Sequence, residues 1–164
     1  MFALGKIADA NQIIAALSKS QAIIQFDLAG KILTANENFC QALGYNLSEI
    51  VGQHHRMFCP ADYAQTQEYR DFWARLGRGE FDANAHKRVA KGGREIWIQA
   101  TCNPVLRGGK PCKVVKFASD ITAAKVRATE DAGKLAAISR SQAVIEFTPS
   151  GEILTRCGGS QNLG

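Results

Sequence analysis

Residues 94–119 read REIWIQATCNPVLRGGKPCKVVKFAS, two largely apolar runs on either side of the turn sequence Arg107-Gly108-Gly109-Lys110. Paired glycines accept the positive backbone angles of a tight turn, so the stretch predicts two antiparallel strands, Arg94–Pro104 and Pro111–Ser119. Successive side chains of a strand point to opposite faces, which gives the first strand one small and apolar face. That face consists of Ile96, Ile98, Ala100 and Cys102.

The elements around this hairpin are predicted from hydrophobic spacing, turn residues and helix caps. In chain order they are a hairpin of Ala22–Phe26 and Ile32–Thr34, short helices capped by Asn36 and Asn46, a loop over His54–Ala64, an amphipathic helix over Gln67–Leu76 and a strand over Phe81–Val89. This order predicts an α+β fold, a five-stranded antiparallel sheet with short helices on one face and a flanking N-terminal helix.

The inner face of the sheet is the first candidate for a ligand site. Ala100 and Cys102 are small for a core layer, so the helices above them would leave space for a ligand. The alternative is that large helix residues such as Phe72 fill that space. The sequence leaves the two possibilities open.

The outer face of the sheet carries Trp97 beside Gln99 and Thr101, a surface too apolar to face bare solvent. A helix predicted over Ala8–Ser18 has an apolar stripe that would cover it. That stripe consists of Ile13, Ile14 and Leu17. A homodimer that uses the same surface is the alternative cover, so these three residues and Trp97 are the predicted interface.

An internal repeat sets the domain organisation. The segment SKSQAIIQFDLAGKILT at 18–34 recurs as SRSQAVIEFTPSGEILT at 139–155, with ten of seventeen positions identical and an offset of 121 residues. We therefore expect a flanking helix over 1–19, one complete domain over 20–122, a helical connector over 123–140 and the truncated start of a second repeat over 141–164. A terminal hairpin that folds back on the first domain is the alternative.

Composition excludes several classes of protein. Twenty basic and fifteen acidic residues are spread along the chain, with a net charge of +5, so there is no basic stripe for nucleic acid. No apolar run is long enough to span a membrane, and the N-terminus lacks the pattern of a signal peptide. Five cysteines without a CxxC pair argue against disulfides or structural zinc and favour a reducing cytoplasm. No nucleophile elbow or phosphate-binding glycine loop is present, so we predict no enzyme.

Several motifs resemble those of a PAS sensor domain. The general ones are Ala35-Asn36-Glu37-Asn38-Phe39, Leu43-Gly44-Tyr45, Glu49-Ile50-Val51-Gly52 and Asp120-Ile121-Thr122. A finer set is similar to the PAS modules of soluble, tandem-PAS methyl-accepting chemotaxis proteins and of aerotaxis receptors: residues 54–58, 69–73, 79–81, 87–89, 97–98 and 113–117. The resemblance covers about residues 18–122. It implies a PAS fold and a cytoplasmic sensory input module that signals through its flanking helices.

The same resemblance implies the partners. Receptors of this kind carry a second PAS module and a methyl-accepting signalling domain, act on the chemotaxis kinase complex indirectly, and form homodimers. A cofactor-free PAS domain that serves only for dimerisation is the alternative.

PAS domains hold haem, a flavin, another small ligand or nothing, and each option implies different residues. Haem would take an axial ligand from Cys59, His55 or His54, with His86 a further candidate. FAD would rely on Trp73 and Phe81 for stacking, although the tryptophan that aerotaxis receptors carry beside the glycine turn is absent.

An anionic ligand is the third option. The resemblance implies that His86, Arg88 and Lys116 point into the cavity beside Ala118 and Cys102. Buried cations require partners, which would be either a ligand carboxylate or phosphate, or an acid of the chain itself. The candidate acids are Glu49, Asp62 and Asp71.

Overall fold

The computed structural model describes residues 2–141, 145–147 and 153–156, which fall into two compact units, residues 1–122 and 123–164. The first unit contains α1 (Phe2–Ser20), β1 (Ala22–Phe26), β2 (Ile32–Ala35), α2 (Glu37–Leu43), α3 (Leu47–Ile50), 3-10 turns at His55–Phe58, Tyr63–Gln65 and Lys91–Gly93, α4 (Gln67–Gly77), β3 (Asp82–Val89), β4 (Glu95–Arg107) and β5 (Lys110–Asp120). The first strand, the long helix and the short capped helices lie where the sequence predicts them.

The five strands form one antiparallel sheet in the order β2-β1-β5-β4-β3. The predicted α+β fold class is therefore confirmed. The hairpin of β4 and β5 is its longest pairing and places Ala100 beside Ala118 and Cys102 beside Lys116. On the other side of β5, Lys116 pairs with Ile24 of β1.

The core lies between the inner face of this sheet and the helices. The predicted face of β4 is buried throughout, from Ile96 to Cys102. Helix α4 turns Tyr69, Phe72 and Leu76 toward the sheet at helical spacing, and all three are buried. Large helix residues therefore occupy much of the space above the small residues of β4, as in the second of the two alternatives.

Asn36 joins three elements at one end of the sheet. Its side-chain oxygen accepts hydrogen bonds from the N–H groups of Phe39 at 3.0 Å and Ile23 at 2.9 Å. Its amide group donates to the carbonyls of Gln21 at 2.7 Å and Ser18 at 3.2 Å. The residue that caps α2 thus also fixes the end of α1 and the start of β1.

Helix α1 is longer than the predicted Ala8–Ser18, and its apolar stripe is exposed. Ile13, Ile14 and Leu17 are 54, 58 and 42% exposed, so they are not buried within a single chain. Their role as an interface remains a prediction.

Helix α5 spans Thr122–Ser141, so all of it except its first residue belongs to the second unit. The second unit also contains a hairpin of β6 (Ile145–Phe147) and β7 (Ile153–Arg156). In this hairpin Glu146 pairs with Thr155, just as Gln25 pairs with Thr34 in the first unit, and each register shifts at the following residue. The repeated sequence therefore forms the same hairpin twice. The rest of the predicted second repeat lies outside the described residues.

None of the helices in the described part of the chain is both long enough and apolar enough to cross a lipid bilayer.

Candidate functional site

A small cavity lies between the inner face of the sheet and the helices. Its volume is about 20 Å³, which is room for about one water molecule. Most of its wall is apolar, and its buried polar lining comes from three residues. These are His55, Arg88 and Lys116.

Lys116 reaches this cavity from the inner face of β5 and is only 2% exposed. Its Nζ lies 3.5 Å from Nε2 of His55. Burial, followed by the positive charge of Arg88, lowers the pKa of Lys116 to about 8. The ammonium group is therefore destabilised by its surroundings and gains only one distant nitrogen acceptor.

His55 is held by the 3-10 turn at His55–Phe58 and by a backbone bond from its N–H to the carbonyl of Gly30 at 2.8 Å. Its ring stacks on Tyr69 and Phe72, and its Nδ1 lies 3.0 Å from the Tyr69 hydroxyl oxygen. A lysine ammonium only donates, so Nε2 must accept from Lys116 and the ring proton belongs on Nδ1, where it donates to Tyr69.

The ionisation states of His55 and Tyr69 follow from their surroundings. Burial, then the charges of Lys116 and Arg88, hold the pKa of His55 well below its usual value. Burial also raises the pKa of Tyr69 to about 12. Both groups are therefore neutral at physiological pH, and neither offsets the charge of Lys116.

Arg88 reaches the cavity from β3 and is only 3% exposed. Its Nη1 donates to the carbonyl of Lys87 at 2.7 Å, and its guanidinium carbon lies 5.9 Å from the centre of the Tyr63 ring. Its Nε is buried and has no hydrogen-bond partner among the described residues. An unpaired buried donor on a charged group is costly, so this atom marks a position where an acceptor would be favoured.

The acids proposed as internal partners are engaged elsewhere, which corrects that hypothesis. Glu49 forms an ion pair with Lys91, Asp62 accepts from the N–H of Tyr63, and Asp71 accepts from the side-chain amide of Gln67. Among the residues whose side chains are described, no carboxylate forms a salt bridge with Arg88 or Lys116.

His86 belongs to a different cluster from the one predicted. Its Nε2 lies 3.2 Å from the carboxylate of Asp82, which also accepts from Arg75 at 3.3 Å and from Asn84 at 2.9 Å. Burial, then the charges of Arg88 and Lys116, lower the pKa of His86 to about 4 although Asp82 acts in the opposite direction. Neither Asp82 nor Tyr69 was a predicted site residue. Tyr69 could have been found from its helical spacing to Phe72.

Cys59, His54 and Trp73 lie close to His55 but outside the cavity wall. The Cys59 sulfur is 3.7 Å from Nδ1 of His55, and burial raises the pKa of this thiol. His54 and Trp73 pack against Gly30, where any side-chain carbon would approach His54 to 2.9 Å. Trp73 also packs edge-on against His55.

The prediction that Phe81 belongs to the site is wrong. It is 70% exposed and precedes β3, so it lies outside the cavity and is not placed to stack on a ring inside it.

The arrangement fits neither haem nor a flavin. Both are multi-ring systems far larger than a cavity with room for one water molecule. Both ring nitrogens of His55 face other side chains, and the raised pKa of Cys59 disfavours the thiolate that iron would require. His54 and His86 point to other neighbours.

The cavity also reaches the end of the sheet where α5 begins. Ser119 and Asp120 form part of its wall. The Asp120 carboxylate accepts from the N–H of Thr122 at 2.8 Å. The backbone N–H of Trp97 on β4 donates to the Thr122 hydroxyl at 2.9 Å, and the backbone carbonyl of Trp97 accepts from the N–H of Ile121 at 2.8 Å.

Comparison with known proteins yields a family and several relatives. Residues 32–118 match the PAS fold family. The biofilm dispersion protein BdlA of Pseudomonas aeruginosa is 49% identical over 142 residues, which are 86% of this chain and 34% of that protein. The aerotaxis receptor of Escherichia coli is 32% identical over 104 residues, 63% of this chain and 20% of that protein.

Solved structures agree on the fold. The PAS domain of a protein from Colwellia psychrerythraea superposes with a TM-score of 0.61 at 20% identity, over 70% of this chain and 98% of that one. The chain spans about a third and a fifth of the two curated relatives, so it corresponds to one part of such proteins.

Proposed function

The chain belongs to the PAS fold family, and on that basis we propose that it is the sensory input module of a cytoplasmic chemoreceptor. It senses a small ligand in the cavity and relays a conformational signal through its flanking helices. Its role is binding and not catalysis. Oxygen or redox sensing through haem or FAD receives no support from a cavity of this size.

The observation that carries this proposal is the continuity between the cavity and the start of α5. Ser119 and Asp120 line the cavity, and Asp120 holds the N–H of Thr122, the first residue of α5. A change inside the cavity therefore has a short mechanical route to the helix through Asp120 and Ile121. The relatives named as a dispersion protein and an aerotaxis receptor support the same assignment.

Hydrogen exchange tests this relay. Ala118 lines the cavity, and Ala118→Val adds volume beside Ala100. We expect exchange at the Ile121 and Thr122 amides to change by about threefold or more, while the distant Ala90 amide keeps its rate.

The matched control is Ala83→Val on an exposed position of β3. It should leave all three amides unchanged. Exchange at Ile121 and Thr122 that is equal in the two variants, or a change of the same size at Ala90, would contradict the relay.

In the full-length receptor, the partners would be a second PAS module, a methyl-accepting signalling domain and, indirectly, the chemotaxis kinase complex. A homodimer is favoured by the exposed stripe of α1, Ile13, Ile14 and Leu17. The alternative function, a cofactor-free dimerisation module, rests on this stripe alone.

Sedimentation equilibrium separates the dimer from a monomer. Ile14→Glu should weaken self-association, and Gln12→Glu, an exposed substitution on the same helix, should not. A wild-type protein that remains monomeric across a concentration series would remove the dimer from the proposal.

A further inference from the structure

We propose that the cavity binds a small anion, a halide or a single carboxylate group, between Arg88 and Lys116. This inference rests on the proposed function, because it names the ligand class of the same cavity. Its basis is a cluster of positive groups that has no negative partner inside the described part of the chain.

The charge balance of the cavity is the first argument. Arg88 and Lys116 are almost completely buried, and each lines the cavity. Their polar partners there are a backbone carbonyl, the face of Tyr63 and a neutral imidazole, none of which carries a negative charge. Burial of two uncompensated cations costs a great deal, whereas one anion between them would offset both charges.

The one acid in the cavity wall does not replace that anion. The Asp120 carboxylate holds the N–H of Thr122, and Asp120 is an exposed residue at the end of β5. Asp82, the nearest buried acid, is already bonded to Arg75 and His86. The positive charges in the cavity are therefore left to an acceptor from outside the chain.

The unpaired donor is the second argument. Nε of Arg88 is buried and has no hydrogen-bond partner among the described residues. Of the two terminal nitrogens of this guanidinium group, Nη1 donates to the Lys87 carbonyl. A guanidinium group presents donors in a planar fork that suits a carboxylate, and the Lys116 ammonium provides a further point charge.

The size of the cavity sets the ligand class. A volume of about 20 Å³ accepts a group of roughly water size, which excludes nucleotides and other large phosphorylated ligands. Arg88 lines both this cavity and an open groove formed with Tyr63, Pro60 and Glu68, so the same guanidinium group borders the surface and the interior.

Thermal unfolding with defined anions tests the proposal. The wild-type protein is titrated with sodium formate or sodium chloride in sodium gluconate buffer at constant ionic strength, because gluconate is too large for the cavity. We expect a saturable rise in the melting temperature of about 5 °C with formate, chloride or both. Formate alone would assign a carboxylate ligand, and chloride alone would assign a halide.

Two lysine variants make the test specific. Lys116→Met should abolish the saturable rise, whereas Lys113→Met should retain it, because Lys113 lies on the opposite face of the same strand. Crystals soaked in bromide should show an anomalous peak between Arg88 and Lys116 in the wild type, which gives a second readout if a variant fails to fold.

The outcomes separate this inference from the proposed function. Equal effects of formate, chloride and gluconate on the wild type and Lys116→Met, with no bromide peak in the cavity, would overturn the anion site. A positive exchange result for Ala118→Val would then leave the sensory relay intact with a neutral ligand.

Discussion

Strand β3 carries two buried charges of opposite sign near its two ends, and their surroundings differ. At Asp82 the carboxylate is bonded to Arg75, His86 and Asn84. At Arg88 the guanidinium meets a carbonyl and an aromatic ring but no acid, and one of its nitrogens has no partner. The first cluster, around Asp82, has its charge partners within the chain. The second cluster, around Arg88, would need a negative group from outside the chain.

The difference separates structural charges from candidate ligand-binding ones. A buried charge whose partners are all present stabilises the fold through them, and loss of one partner is costly. A buried charge without partners reduces the stability of the fold and is retained only where it serves another purpose. Substitutions in the two clusters should therefore shift stability in opposite directions.

The largest effect is expected at Asp82. Asp82→Asn removes the negative charge that offsets Arg75 and the carboxylate oxygen that faces His86, and it leaves the cations at Arg88 and Lys116 without a buried acid among the described residues. We expect a loss of about 2–3 kcal/mol in the free energy of unfolding, measured by urea denaturation. Glu80→Gln, which breaks the exposed pair with Arg78, should cost less than about 1 kcal/mol. Equal stability of Asp82→Asn and the wild type would show that the first cluster is not structural.

The opposite sign is expected at Lys116. Lys116→Met replaces a buried ammonium by an apolar chain of similar length, so in gluconate buffer the free energy of unfolding should rise by about 1–2 kcal/mol. Lys113→Met on the outer face should stay within about 0.5 kcal/mol of the wild type. A clear loss of stability in Lys116→Met would mean that the ammonium is satisfied within the fold, and the contrast between the two clusters would fail.

The inner face of the sheet was predictable because a strand has a fixed period of two. The alternation from Ile96 to Cys102 gives the buried face of β4. The inward placement of Arg88 and Lys116 came from the resemblance to PAS domains, and both residues are buried. The rule also bears on Phe81, which differs from Arg88 by an odd number of positions and so belongs to the other face. The period of two therefore shows that Phe81 and Arg88 could not both face the cavity.

The partners of the buried charges were not predictable in the same way. Glu49 and Lys91 are 42 residues apart and meet only through the folded chain. Asp62 and Asp71 are used by bonds within their own local turns, to Tyr63 and Gln67. The size of the cavity also depends on how Phe72 and Phe58 pack, which no local spacing specifies.

The smallest effect is a pH dependence that isolates the charge of Lys116. Its pKa is about 8 in the folded protein and about 10.5 when unfolded, so the unfolded chain binds more protons between these values and the stability contribution rises with pH. Below pH 8 both states are protonated, and the cost of burial is fully present. The titratable and charged groups that face the ammonium are Arg88 and Asp82 from β3, Cys102 from β4, His55 from the first 3-10 turn and Cys59 directly after it.

Most contributions of those neighbours cancel when the free energies of unfolding of the wild type and Lys116→Met are subtracted, because both proteins contain the same neighbours. The free energy of unfolding of the wild type minus that of Lys116→Met should increase by roughly 0.8 kcal/mol between pH 7 and 8.5 in gluconate buffer. A bound anion favours the ammonium, so saturating formate should move this increase to higher pH. A difference that stays flat across the range in gluconate would mean that Lys116 keeps its ordinary affinity for the proton, as it would beside an internal carboxylate, and the two clusters would then be alike.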